Sequence, residues 1–106
     1  MPKYLVTGSY TAEGLKGVLK EGGSGRRQAV ESAVEAMGGR LEAYYFAFGD
    51  NDVVSIVDVP DNVIATALSM GIAATGTVRT RTTVLLTPEE VDQATKKTLS
   101  FRAAGQ

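Results

Sequence analysis

Two arginines that follow a glycine-rich stretch are the best candidates for anion-binding chemistry in this chain. The stretch Gly22-Gly23-Ser24-Gly25 interrupts a helical pattern and leads directly into Arg26 and Arg27. Free N–H groups and the dipole at a helix N-terminus attract phosphate or carboxylate, and two guanidinium groups can close around such an anion. The simpler explanation, which we favour, is a kink between two helical segments, with solvated arginines paired to Glu31 or Glu35.

Aromatic side chains concentrate in two predicted strands. They are Tyr4 and Tyr10 in the first strand, and Tyr44, Tyr45, Phe46 and Phe48 in the second. They can line the floor of an apolar pocket in which phenol hydroxyls orient a ligand. Packing in the core or in a subunit interface is the alternative, and at least some of these residues must serve it.

Two further groups of charged residues have simpler explanations than ligand binding. Arg79 and Arg81 share a strand face and can bind an acid if that face lines a cavity, but we favour ion pairs across strands or across a subunit boundary. Asp50-Asn51-Asp52 offers oxygen ligands to a cation, but Asp and Asn also favour tight turns. We therefore predict no metal site.

Composition excludes several classes of mechanism. The chain of 106 residues contains neither Cys nor His, which removes thiol nucleophiles, disulfides, thiolate metal sites and the commonest general base. Its net charge of −1 does not favour a nucleic-acid partner. No apolar run is long enough to span a membrane, and the N-terminus lacks the pattern of a signal peptide. We expect a cytoplasmic protein.

The order of predicted elements is β-α-β-β-α-β with an added C-terminal helix. Thr11 is expected to cap the first helix, Ser24 its second segment, and Gly38-Gly39 to end it. Thr87-Pro88-Glu89-Glu90 predicts a capping box for the last helix, which should run to about Leu99, with residues 100–106 as a loose tail. This order predicts one domain over residues 1–106: an α+β, ferredoxin-like fold with a four-stranded antiparallel sheet.

The hairpin Leu41 to Pro60 organises these elements. We expect Gly49 to pair with Asp52 across a two-residue turn. One face of the hairpin then holds Glu42, Tyr44, Phe46 and Phe48 with Val53, Ser55, Val57 and Val59, and the other holds Leu41, Ala43, Tyr45 and Ala47 with Val54, Ile56 and Asp58. Since both faces are largely apolar, we predict helices on one and a second subunit on the other. We assign Leu41, Ala43, Tyr45 and Ala47 to the helices.

Three blocks of sequence resemble the GYD-domain family of small bacterial proteins. They are PKYLVTGSYTAEGLKGVLKEGGSGRR, YYFAFGDNDV and TPEEVDQATKK. The resemblance implies a dimeric α-β barrel, in which two ferredoxin-like protomers press their open sheet faces together. Where the family has Gly-x-Tyr-Asp, this chain has Gly49-Asp50-Asn51-Asp52, so a role that depends on the tyrosine does not carry over.

Together these observations predict a homodimer, or a larger homo-oligomer built of dimers, that binds a small anionic or aromatic molecule without a cofactor. The predicted ligand-binding residues are Tyr4, Tyr10, Arg26, Arg27, Tyr45, Asp52 and Arg79. One alternative, by analogy with the barrel group, is a cofactor-independent monooxygenase or isomerase-like enzyme with Asp52 or Asp58 as its base. Another is an assembly module that binds no ligand.

Overall fold

A computed structural model describes all 106 residues of the chain. Its elements, in chain order, are β1 (Lys3–Tyr10), α1 (Ala12–Ala36), β2 (Arg40–Phe46), β3 (Val53–Asp58), α2 (Asn62–Ala73), β4 (Val78–Leu85) and α3 (Pro88–Thr95). The strands form one antiparallel sheet in the order β2-β3-β1-β4. The predicted ferredoxin-like fold with an extra C-terminal helix is confirmed.

The hydrophobic core lies between the sheet and the helices α1 and α2. Its buried members are Tyr4, Val34, Leu41, Val57, Val59 and Ala65. Strand alternation places the other side chains on the opposite face, which neither α1 nor α2 covers. We call this the open face; it carries Lys3, Leu5, Thr7, Ser9, Ala43, Tyr45, Val54, Ile56, Asp58, Arg79, Arg81, Thr83 and Leu85.

The turn of the β2–β3 hairpin is wider than the sequence predicted. Phe46 pairs with Val53, so the connection runs from Ala47 to Asp52 instead of being a two-residue turn. The cause lies in β1, because the Gly8 carbonyl accepts the Asp52 backbone N–H at 2.8 Å and the Asp52 carboxylate accepts the Tyr10 N–H at 2.8 Å. These bonds hold Asp52 against β1, and the tight turn cannot close.

The prediction of which hairpin face meets the helices is wrong for most of β2. Tyr44 and Phe46 face the helices, and Ala43 and Tyr45 lie on the open face. A shift of two residues preserves which side chains share a face, so the alternation was right and the choice of side was not. A bulge between Leu41 and Ala43 nevertheless turns Leu41 into the core, where it had been expected.

Glycines in α1 make room for this orientation. The helix breaks at Gly22, where φ is 80° and ψ is 169°, which confirms the predicted kink. Helical structure resumes at once, so Ser24 lies inside the second segment and does not cap it. A Cβ atom at Gly23 would lie 3.0 Å from the ring of Phe46. The break therefore bends the helix and also admits an aromatic ring of β2.

The helix termini follow the sequence closely, with two exceptions in extent and burial. Thr11 caps α1, and Thr87 forms the capping box of α3. However, α3 ends at Thr95 and not near Leu99. The spacing of apolar residues in α2 predicts two stripes, one with Val63 and Met70 and one with Ile64 and Leu68, and a well-buried helix, yet Val63 and Met70 are 74% and 66% exposed. Only the stripe that begins at Ile64 faces the sheet.

The folded chain is large for its length. Its radius of gyration is 17.0 Å, against about 13 Å for a compact domain of this size. Its accessible surface is 7558 Å², about 1,900 Å² more than a compact monomer of this mass exposes. No helix has the length and apolar character that crossing a membrane requires. The open face, α3 and the tail explain why the chain is less compact than a domain of this size usually is.

Asp58 is the one buried carboxylate, and its ion pairs join three strands on the open face. It accepts from Lys3 Nζ at 2.8 Å and from Arg40 Nη2 at 2.9 Å, and Lys3 also pairs with Glu42 at 2.5 Å. Burial alone would raise the pKa of Asp58, but Lys3 and Arg40 hold it below its ordinary value. The charged form is therefore the one that the fold stabilises.

We expect Asp58→Asn to lower the free energy of unfolding by about 1–2 kcal/mol at pH 7, since a charge-assisted hydrogen bond is lost. Because the folded-state pKa is depressed, this contribution is present above the unfolded pKa of about 4 and disappears as the pH falls through the folded value. Urea unfolding between pH 7 and pH 3 measures both effects. Asp50→Asn, at an exposed loop position, is the control. An Asp58→Asn deficit that does not shrink toward pH 3 would contradict the ion-pair account.

Candidate functional site

The helices α1 and α2 leave a narrow cavity between themselves and the sheet. It has a volume of about 50 Å³, with Val30 and Ile72 from the helices above it and Val6, Ser55 and Thr80 from the strands below. A second cavity of about 40 Å³ shares these five residues and extends toward Tyr4. Each has room for water rather than for an organic ligand. An organic molecule therefore does not fit inside either cavity.

Tyr10, Tyr44 and Arg26 surround the mouth of the first cavity. The two phenol oxygens are 3.4 Å apart, and the Arg26 guanidinium is bonded to the Glu21 carboxylate at 3.1 Å. Burial, and then the hydrogen bond with Tyr10, raise the pKa of Tyr44 far above its ordinary value. Tyr44 therefore stays a neutral phenol and can donate a hydrogen bond.

The charge of Arg26 is maintained by its neighbours. Burial works against that charge, but the Glu21 carboxylate and the Tyr10 hydroxyl together raise the pKa of Arg26. Its side chain is 30% exposed, so one part of the guanidinium meets Glu21 while another reaches solvent. The mouth thus combines a permanent cation with the neutral phenol of Tyr44, beside the Tyr10 hydroxyl.

An outer groove of about 200 Å³ opens from the same two side chains, Tyr10 and Arg26. Its other walls are Glu13, Gly14, Gly17, Glu21 and Thr77. Gly14 allows α1 to approach the end of the sheet, since a Cβ there would lie 1.9 Å from the Thr77 carbonyl oxygen. Nothing lies within 4 Å of the corresponding position at Gly17. Tyr10 and Arg26 therefore lie between a groove with mostly polar walls and a narrow cavity with mostly apolar walls.

The predicted ligand-binding residues are distributed over three places. Tyr10 and Arg26 meet at the mouth, and Asp52 holds the backbone of Tyr10 through its carboxylate. Tyr4 lies in the core, with its hydroxyl bonded to Asn62, and lines the second cavity. The remaining three are not near the mouth: Arg27 is exposed on α1, and Tyr45 and Arg79 lie on the open face.

Sequence reasoning did not select Tyr44 or Glu21 as site residues. Tyr44 was assigned to the partner-facing side of the hairpin, and correct pairing of β2 with β3 was not enough to decide that side. Arg26 was expected to pair with Glu31 or Glu35, four or more residues further along α1. The kink at Gly22 instead brings Glu21, from the first segment of the helix, against Arg26. In a continuous helix the neighbouring side chains are three or four residues apart, so this pair, five residues apart, is not favoured there.

Comparison with known proteins identifies the family. The GYD domain family matches residues 4–95, which include all three helices and four strands in whole or nearly in whole. The chain belongs to the GYD domain family. No curated protein matches it in sequence.

Among solved structures, the GYD chain is similar to the leucine response regulatory protein of Mycobacterium tuberculosis. The TM-score is 0.52 at 21% sequence identity, and the match covers 81% of this chain and 51% of that protein. The chain therefore spans about half the length of its structural neighbour. At this identity the likeness concerns the fold alone.

The loop that carries the family motif has a structural role in this GYD domain. Gly49 has a φ of 147°, and the Asp50 carbonyl accepts the Ser9 hydroxyl at 3.0 Å. Asp52 makes the two bonds to β1 described above, whereas Asn51 is exposed. No group of three or more carboxylates converges to form a metal site here or elsewhere. Through these hydrogen bonds the β2–β3 loop holds β1, and with it the backbone of Tyr10.

Two glycines in the outer groove allow a matched test of its geometry. We expect Gly14→Ala to lower the free energy of unfolding by more than 2 kcal/mol, because its methyl group overlaps the Thr77 carbonyl and separates α1 from the sheet. Gly17→Ala should be neutral or stabilising by up to about 1 kcal/mol, since it meets no atom and favours helix. Thermal and urea unfolding compare the two. Equal effects would mean that α1 does not dock through Gly14.

Proposed function

We propose that this protein is a homo-oligomeric binding protein for a small organic anion with an apolar or aromatic group. The observation that supports this most directly is the mouth formed by Arg26, Tyr10 and Tyr44. A carboxylate on a ligand can pair with the guanidinium while the phenols donate hydrogen bonds to it. The apolar part of the ligand is then directed over Val30 and Val53, which line the cavity behind.

Glu21 is the internal competitor in this proposal. In the unliganded chain it occupies one edge of the Arg26 guanidinium. A ligand carboxylate either uses the remaining donors or displaces Glu21, which is exposed enough to rotate into solvent. The affinity for the ligand therefore depends on how much more strongly Arg26 binds the ligand carboxylate than the Glu21 carboxylate. This makes Glu21 a sensitive position at which to test the proposal.

Catalysis has less support than binding. Of the two bases that the sequence suggested, Asp52 lies near the phenols but is bonded to the Tyr10 N–H. Asp58 lies on the opposite face with a lowered pKa, held by Lys3 and Arg40. Tyr44 is protonated and so acts as a donor. The arrangement favours recognition of an anion over proton abstraction.

Benzoate and its neutral analogue benzamide are suitable probes, monitored by amide NMR shifts. We expect benzoate to perturb the amides around Tyr10 and Arg26, and benzamide to bind more weakly. Arg26→Gln should weaken benzoate binding about tenfold or more, because a charge-assisted hydrogen bond is lost. Glu21→Gln should strengthen it by removing the competing carboxylate.

Arg27→Gln is the matched control, since it removes the same charge from the next residue without touching the mouth. Its benzoate affinity should equal that of the natural chain. If Arg27→Gln weakens binding as much as Arg26→Gln, or if benzamide binds as well as benzoate, the effect is general electrostatics and the proposed site is wrong.

We propose that assembly occurs through the open face. Leu5, Val54, Ile56 and Tyr45 give this face an apolar surface that the chain itself leaves uncovered. The excess surface of about 1,900 Å², to which the open face, α3 and the tail all contribute, is more than twice the roughly 800 Å² that each partner contributes to a standard interface. Two copies related by a two-fold axis bury the same face on both sides.

Sedimentation equilibrium at micromolar concentration tests this assembly, and we expect at least twice the mass of one chain. Ile56→Lys, near the centre of the open face, should shift the protein toward monomer. Met70→Lys places the same charge on the exposed face of α2 and should leave the dimer intact. A natural chain that is monomeric at this concentration, or an Ile56→Lys variant that stays dimeric, would refute an interface on the open face.

A further inference from the structure

The C-terminal arm, which we define as residues 87–106, does not pack on the chain to which it belongs. Every hydrogen bond that these residues make is internal to the arm, from the capping box of α3 to the contact between Arg102 and the Gln106 carbonyl. No residue of α3 is buried. Val91, Leu99 and Phe101 are 46%, 82% and 78% exposed. The arm therefore presents apolar side chains without a covering surface.

An eight-residue helix needs such a surface. Isolated helices shorter than about 12–15 residues are marginal in water, because nucleation costs more than a few hydrogen bonds return. The capping box of Thr87 and Glu90 stabilises the first turn, but it adds only about 1 kcal/mol. In the single chain no packed surface supplies the remaining stability of α3.

The charge of α3 indicates which surface that is. Its residues Pro88–Thr95 include Glu89, Glu90 and Asp92 and no basic residue. On the open face, Lys3 and Arg40 are matched by Glu42 and Asp58, whereas Arg79 and Arg81 form no ion pair within the chain. Of the two pairings that the sequence suggested, this leaves the one across a subunit boundary. The open face thus has an excess of two positive charges along β4, and α3 has an excess of three negative charges.

The positive excess along β4 has a consequence in a symmetric dimer. When two open faces meet across a two-fold axis, the arginines of one copy approach a surface with the same positive excess. Such a contact is unfavourable unless an acidic group enters it. Because α3 follows β4 after only Leu86 and Thr87, it lies at the margin of the same interface.

We propose that the two copies of the homo-oligomer exchange their C-terminal arms. Glu89 and Asp92 of each arm pair with Arg79 and Arg81 on the open face of the other copy, and Val91 packs beside them. This inference rests on the homo-oligomer of the proposed function and names the contact that completes its interface. Each contact occurs twice, once for each arm.

Charge reversal in trans tests the exchange. One variant carries Arg79→Glu and Arg81→Glu, so that the β4 edge of its open face and its α3 are both acidic; the basic residues of the arm, Lys96, Lys97 and Arg102, follow α3. The other carries Glu89→Arg and Asp92→Arg, so that its face and its arm are both basic; Glu90 is left intact because it belongs to the capping box. For each variant alone, the dissociation constant of the dimer should be at least about tenfold higher than that of the natural chain. An equimolar mixture should recover natural association, since each face then meets an arm of opposite charge.

Native mass spectrometry of isotope-labelled partners measures homodimers and mixed dimers separately. A variant with Glu31→Arg and Glu35→Arg, on α1, controls for the change in net charge and should associate as the natural chain does. If the natural chain is a dimer and both charge-reversed variants dimerise equally well, arm exchange is wrong while the open-face interface stands. Weakened variants whose mixture shows no recovery also overturn it, and a monomeric natural chain overturns both proposals.

Discussion

The sheet of this protein carries apolar side chains on both faces and has only enough helix to cover one of them. That constraint follows from β1 and β3, where Tyr4, Val6, Val53 and Val57 point to the helices while Leu5, Val54 and Ile56 point away. Antiparallel sheets commonly expose one face to water, but such a face is then polar. Here only 12 of 106 residues are buried in the single chain. Most of the remaining features relate to this face, which the helices leave open.

The sequence was sufficient for the element order, the kink and the caps of α1 and α3, though not for the cap expected at Ser24, because the correct predictions depend on residues that are close in the chain. Gly22, Thr11 and the Thr87–Glu90 box act within one or two helical turns. The hairpin register depended on a residue outside the hairpin, since β1 captures Asp52 through Gly8 and Tyr10. The side on which the hairpin faces the helices depended in turn on the bulge next to Glu42 and on the space at Gly23. Alternation alone does not contain that information.

The candidate site shows the same division between local and non-local information. A glycine break followed by Arg-Arg correctly drew attention to Arg26, but adjacent residues on a helix point about 100° apart. Only one of the two arginines can therefore face the cavity, and the choice depends on how the second segment of α1 rotates at Gly22. The same kink brings Glu21 to Arg26, a pair that neither segment would form by itself. Tyr44 joins them only because β2 turns that face inward.

The mouth at Tyr10 and the open face, which we propose for ligand binding and assembly, lie on opposite faces of the same strands. Tyr10 points to the helices while its neighbour Ser9 points to the open face, and in β4 Val78 and Thr80 alternate with Arg79 and Arg81 in the same way. A substitution on one face therefore reaches the other only through the backbone of the sheet. Asp52 is the exception, because its carboxylate joins the β2–β3 loop to the backbone N–H of Tyr10. Any coupling between assembly and ligand binding is expected to pass through that loop, where the family motif lies.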